Sequence, residues 1–209
     1  MARHFSIVLL LAVLLAHGYA AAFDQRTVLP RGKVIAASGT VQVLFPPDED
    51  ATGTIIQAIN HAQRQVLVQA FSFTSKGIGR ALIVARQRGL DVQVIADDEQ
   101  IRKNERTEVT EIASMGVPTY LDNAHTIAHN KVMVIDGNTS NPVLITGSFN
   151  FTNAAQYHNA ENLLLFRGNR DLTAAYLDNW QRHRAHSLPF SQYRGNGGNA
   201  KMPRYFSHR

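Results

Sequence analysis

A chain of 209 residues, 44% of them hydrophobic and 18% charged, is long enough to bury one core without covalent staples. It contains no cysteine, which excludes a disulfide framework and any thiolate metal site. The formal net charge of +5, with histidine neutral, favours a polyanionic partner: nucleic acid or an anionic membrane surface, between which charge alone does not choose.

The first residues carry Arg3 and His4, residues 7–16 are continuously apolar, and Ala20-Ala21-Ala22 supplies small residues for cleavage. A charged head, a short apolar stretch and a small-residue site have the layout of a secretory signal peptide, whereas a spanning helix needs about 20 apolar residues. The expectation is a leader over 1–22, export to the periplasm or the medium, and no lasting membrane anchor. Removing that leader takes away only Arg3, so the mature chain keeps a net charge of +4. Residues 23–39 are polar with little periodicity and read as an N-terminal arm.

Residues 41–45 read as the first strand, stopped by Pro46-Pro47. Residues 48–54 offer helix-start side chains, and Ile55, Ile56, Ile59 and Ala62 recur at helical spacing. Residues 65–73 form the next strand. A helix follows over 77–88, with Ile78, Ala81, Leu82 and Ala85 on one stripe and Gly89 as a left-handed cap. Residues 91–96 are again strand. The charged segment from Asp97 to about Met115 reads as helical, its acids at a helix start. Residues 117–121 form a short strand.

Residues 132–135 form an apolar, partly β-branched run, as in a strand buried on both faces, and 143–146 read as its antiparallel partner across a turn at 136–142. Residues 152–159 suit one or two helical turns capped by Asn150 or Thr152, and 163–166 a buried strand. Residues 171–186 have helical periodicity, with Leu172, Ala175, Tyr176 and Trp180 on the apolar side, ended by Pro189. From Asn179 onward there are six Arg or Lys and no Asp or Glu, so 188–209 read as a basic flexible tail. Strands alternating with helices predict one α/β domain over 40–187, a layered α/β/α sandwich around a mixed, largely buried β-sheet.

The chemistry gathers on the hairpin. His129 and Lys131, two residues apart, should project the same way from one strand edge, and the return strand brings Gly147, Ser148, Phe149 and Asn150 back beside them. An imidazole, a fixed cation, a hydroxyl and a carboxamide in one small volume suit a phosphate in a charge-rich transition state. His125 and His129 stand four apart, as a helical metal pair would, but the residues that follow read as strand.

His-x-Lys, four residues, Asp136 and then Gly147-Ser148-x-Asn150 resembles the HKD motif of the phospholipase D superfamily. The continuation through Phe151-Thr152-Asn153 to Asn159-Ala160-Glu161-Asn162 resembles the single-motif bacterial Nuc-type endonuclease branch, and the likeness runs from about Val41 to about Trp180. The gap between Asp136 and Gly147 is longer than the family pattern, with the extra residues in the turn, where lengthening a loop costs little. The resemblance implies a phospholipase D-like fold, with His129 and Lys131 at the reacting phosphate and Glu161 orienting the His129 ring. It implies no cofactor and no metal, lysine and imidazolium supplying the positive charge. Lys131, Ser148 and Asn150 would bind phosphate oxygens, while Asp136, at the far strand end, and Gly147 would be structural supports.

Exchange at phosphorus through a histidine needs two imidazoles, one to attack and one to move protons, yet His-x-Lys occurs once. The expectation is a homodimer sharing one active site and passing through a covalent phosphohistidine. Its substrate would be DNA, and RNA is a related candidate, cut with little sequence preference because phosphate contacts carry no base information. The alternatives are a phospholipid hydrolase and a catalytically silent nucleic-acid-binding protein.

Overall fold

The computed structural model describes residues 32–103 and 107–195. The expected leader over 1–22, most of the expected arm and the end of the basic tail lie outside the described residues.

The strands are β1 (Thr40–Leu44), β2 (Gln65–Ala70), β3 (Asp91–Asp97), β4 (Thr119–Asp122), β5 (Lys131–Ile135), β6 (Val143–Gly147), β7 (Leu163–Arg167) and β8 (Leu188–Pro189). The helices are α1 (Ala51–His61), α2 (Lys76–Gln87), α3 (Asp98–Lys103), α4 (Val109–Ser114), α5 (Asn153–Tyr157), α6 (Arg170–His186) and α7 (Phe190–Gly195). One eight-stranded sheet runs in the order β1-β7-β6-β5-β2-β3-β4-β8. β2, β3 and β4 are parallel and the other pairings antiparallel, giving the mixed sheet that the alternating pattern predicts.

Side chains alternate along β5 between two cores. Met133 and Ile135 enter the larger one with Ile55, Ile59, Ile78, Leu82 and Ile112, whereas Val132 and Val134 join the smaller one with Leu177 and Trp180 of α6. Helices therefore cover both faces, and β5 is buried along its whole length, as its apolar run requires. Trp180 completes the α6 face by donating its indole N–H to the carbonyl of Val68, 3.1 Å away in β2.

Local chemistry sets the boundaries. Asp50 caps α1 through the Gly53 N–H and Ser75 caps α2 through the Ile78 N–H. Gly89 ends α2 at φ +90°. Of the two caps considered for the turns after Phe151, Thr152 is the one used: its hydroxyl accepts from the Ala155 N–H.

Two expectations need correction. The charged segment after β3 is two short helices, because Thr107 leaves helical geometry and its hydroxyl bonds to the Phe73 carbonyl and the Val109 N–H. The tail begins later than Leu188: Leu188 and Pro189 pair with Leu121 and Tyr120 as an edge strand, and Phe190 is buried. A two-residue strand gives no detectable alternation, so sequence periodicity could not show it.

Candidate active site

Three connections bring the chemistry-bearing segments together at the carboxyl end of β2. The Phe71 N–H bonds to the carbonyl of Asn130, 2.9 Å away, which places His129 and Lys131 beside the exit of β2. Phe73 pairs with Phe151, and the N–H groups of Thr74 and Ser75 both bond to the Phe151 carbonyl. The segment 71–75 thus carries His129 and Lys131 on one side and Asn150 on the other.

The His129 ring is exposed and meets the edge of the Phe71 ring, with centroids 4.4 Å apart. Lys131 is buried; its ammonium donates to the His129 carbonyl at 3.0 Å and lies 5.0 Å from the centre of the same Phe71 ring. Among the described residues that is its one hydrogen bond, so two of the three donors an ammonium carries remain for a substrate. Burial pushes the Lys131 pKa down from 10.5, and the charge of Glu161 partly offsets this. The Asn150 amide oxygen is buried without a hydrogen-bond partner among the described residues.

Phe71 is the contributor that residue-type reasoning passed over. A phenylalanine at a strand end reads as core, and only the fold shows it touching both His129 and Lys131.

The structure revises two roles. The Ser148 hydroxyl donates to Glu161 at 2.5 Å and accepts from the Asn162 N–H at 3.0 Å, so it holds the carboxylate instead of standing open to a phosphate. Glu161 also accepts from the Asn159 side chain at 3.0 Å. With both oxygens engaged, Glu161 makes no hydrogen bond to the His129 ring among the described residues; it acts on the site through its field on Lys131.

Asp136 and Gly147 make backbone contacts away from the His129 ring. Asp136 sits at φ +52°, and its carboxylate accepts from the backbone N–H groups of Gln63, Arg64 and Gln65 at 2.8–2.9 Å, closing the far end of β5 onto the start of β2. Gly147 has φ +144°, and a Cβ there would collide with the Asn162 carbonyl. Asp97 and Asp98, at the end of β3, are structural: Asp97 accepts from the N–H groups of Gln100 and Ala128, and Asp98 pairs with Arg102.

Residues 55–184 match the family model described as "Cardiolipin synthase, PLD-like domain". The chain belongs to the phospholipase D superfamily. It is 36% identical over 140 residues to a protein named phospholipase D from Rickettsia prowazekii, a match spanning 67% of this chain and 65% of that one. It is 28% identical over 138 residues to the mitochondrial cardiolipin hydrolase of Xenopus tropicalis, covering 66% of this chain and 60% of that protein. The crystal structure of the phospholipase D family member Nuc from Salmonella typhimurium superposes with a TM-score of 0.67 at 30% identity, covering 73% of this chain and 98% of Nuc. The chain is a member of the Nuc type within this superfamily of phosphodiesterases.

Proposed function

We propose that the protein is an exported endonuclease that hydrolyses phosphodiester bonds of DNA, and of RNA as a related polymer, with little sequence preference. Two copies of the His129 hairpin, related by a twofold axis, share one phosphate. One His129 attacks phosphorus and forms a phosphohistidine while its mate protonates the leaving oxygen; the mate then takes a proton from the water that releases the product. Lys131 and Asn150 of both copies hold the non-bridging oxygens, and no metal takes part in the bond changes. The two rings titrate as a coupled pair.

The observation that carries this reading is coverage: the chain accounts for 98% of Nuc but only 65% of the Rickettsia prowazekii phospholipase D. One chemical set per chain and a net charge of +5 support a polyanion gripped across a two-copy cleft.

A phospholipid substrate is the second reading. It is favoured by the names of the relatives and by exposed Ile127, two residues before His129, exposed Phe45, next to Pro46, whose carbonyl accepts from the Glu161 N–H, and exposed Tyr157, four residues before Glu161. The deciding experiment incubates the protein and its His129→Ala variant with supercoiled plasmid and with cardiolipin vesicles, then acid-quenches a reaction on labelled oligonucleotide to trap label on histidine. Nicked plasmid and labelled protein, both lost in the variant, are expected. Hydrolysis of lipid alone would transfer the same chemistry to a membrane substrate and overturn the nuclease reading.

A further inference from the structure

Away from the phosphate site, four side chains from three parts of the chain converge. Asp122 ends β4, His125 follows it by three residues, and His183 and His186 occupy the last turn of α6. The Asp122 Oδ2 lies 2.8 Å from His183 Nδ1, 3.1 Å from His125 Nδ1 and 3.2 Å from His186 Nε2. All four ligand-capable atoms fall within 4.8 Å of one another. The rings of His125 and His183 stack at 4.8 Å, and His186 stands 5.2 Å from both.

Electrostatic pairing alone accounts poorly for this arrangement. The macrodipole explains why basic residues gather at the end of α6, but not why three rings turn their nitrogens onto one carboxylate oxygen. Three rings share one carboxylate, and three of their nitrogens crowd one of its oxygens. A divalent cation resolves both problems, since it binds the carboxylate and three neutral imidazoles together.

The geometry points to a structural zinc-class site formed by Asp122, His125, His183 and His186. Tetrahedral zinc with nitrogen and oxygen ligands at 2.0–2.2 Å sets ligand atoms about 3.3 Å apart, close to the 2.8–3.2 Å from Asp122 Oδ2 to each ring nitrogen. The other carboxylate oxygen, Oδ1, lies equally close to His125 Nδ1, at 3.1 Å, and accepts from the backbone N–H groups of Ala124 and His125 at 3.1 and 3.4 Å, outer contacts of the kind that fix a ligating carboxylate. The Asp122 side chain is fully buried whereas His125 is about half exposed, which leaves a path for the ion.

With four protein ligands and no open position, the ion would act as a staple. It would tie the end of α6 to β4, where Arg184 already stacks on the Tyr120 ring at 3.3 Å, and anchor the loop that leads from His125 to His129. The site is independent of the substrate cut at His129.

The test uses the untagged chain as isolated, stripped with a chelator and dialysed, then titrated with zinc chloride and with cobalt(II) chloride. One equivalent of zinc should bind and raise Tm, and cobalt should give the intense visible absorption of a tetrahedral site. His125→Gln and His183→Gln should each weaken zinc binding at least tenfold and abolish the cobalt band, while His61→Gln, on α1, leaves both intact. His125 is exposed, so its variant stays folded even if that of His183 does not. Failure of the stripped protein to bind zinc, or undiminished binding by His125→Gln, would overturn the site, whatever activity the protein has on DNA or lipid.

Discussion

The Lys131 ammonium donates to the backbone carbonyl of His129, two residues back, so the buried cation is tied to the backbone that carries the exposed imidazole. Burial lowers the Lys131 pKa below 10.5 and Glu161 opposes that shift. The sign for stability follows. Between the folded and unfolded pKa values the unfolded chain binds more protons, so the cost of burying the ammonium applies in full below the folded value and fades as pH rises through the window.

Glu161→Gln removes the opposing charge. The Lys131 pKa should then fall further, and the alkaline limb of kcat/KM, where the ammonium is lost, should move to lower pH. A pH–rate profile of the two proteins checks this; an unmoved limb would mean that Glu161 does not act through Lys131.

Asp136→Ala should cost about 2–4 kcal/mol of stability, because three backbone N–H groups lose a charged acceptor and alanine is strained at φ +52°. Asp136→Asn keeps one oxygen and tolerates the backbone, so its loss should be about half as large. Denaturant melts give both values. Since Asp136 lies at the opposite end of β5 from Lys131, kcat/KM of the folded fraction should be unchanged in either variant.

Gly147→Ala places a Cβ on the Asn162 carbonyl in a backbone region that disfavours side chains. We expect a loss of about 2–4 kcal/mol, by the strain and overpacking that such changes carry. Moving Asn162 also disturbs the Ser148–Glu161 contact, so kcat should fall with it. A folded variant with wild-type Tm would show that the turn relaxes freely.

Much of this was legible in the sequence. β5 and β6 are apolar runs bounded by turn residues, and Gly89 stops α2 as its backbone freedom allows. His129, Lys131 and Asn150 share one hairpin, so their convergence needs only strand pairing. The Asp122 cluster escaped because two Asx-x-x-His and His-x-x-His fragments stand 61 residues apart at closest bonding partners, His183 to Asp122, and meet only once α6 has crossed the sheet. The four-residue spacing of His125 and His129 suits a metal pair only on a helix, which the following strand excludes, and the loop turns the His125 ring toward Asp122. The role of Ser148 was also out of reach, since composition cannot say whether a hydroxyl faces a substrate or a neighbouring carboxylate.

The twofold arrangement makes a prediction that no single-chain site shares. If each active site needs His129 from both copies, a dimer of one native and one His129→Ala chain is dead, and activity follows the square of the native fraction. Unfolding and refolding an equal mixture together should then leave about a quarter of the activity of the same total of native protein. Independent sites would leave about half, because each native chain would work beside any partner. Analytical ultracentrifugation of the mixture confirms that chains have exchanged, and the rate on plasmid distinguishes the two outcomes. A result near half, with exchange complete, would require the second imidazole to be replaced by another proton carrier within one chain.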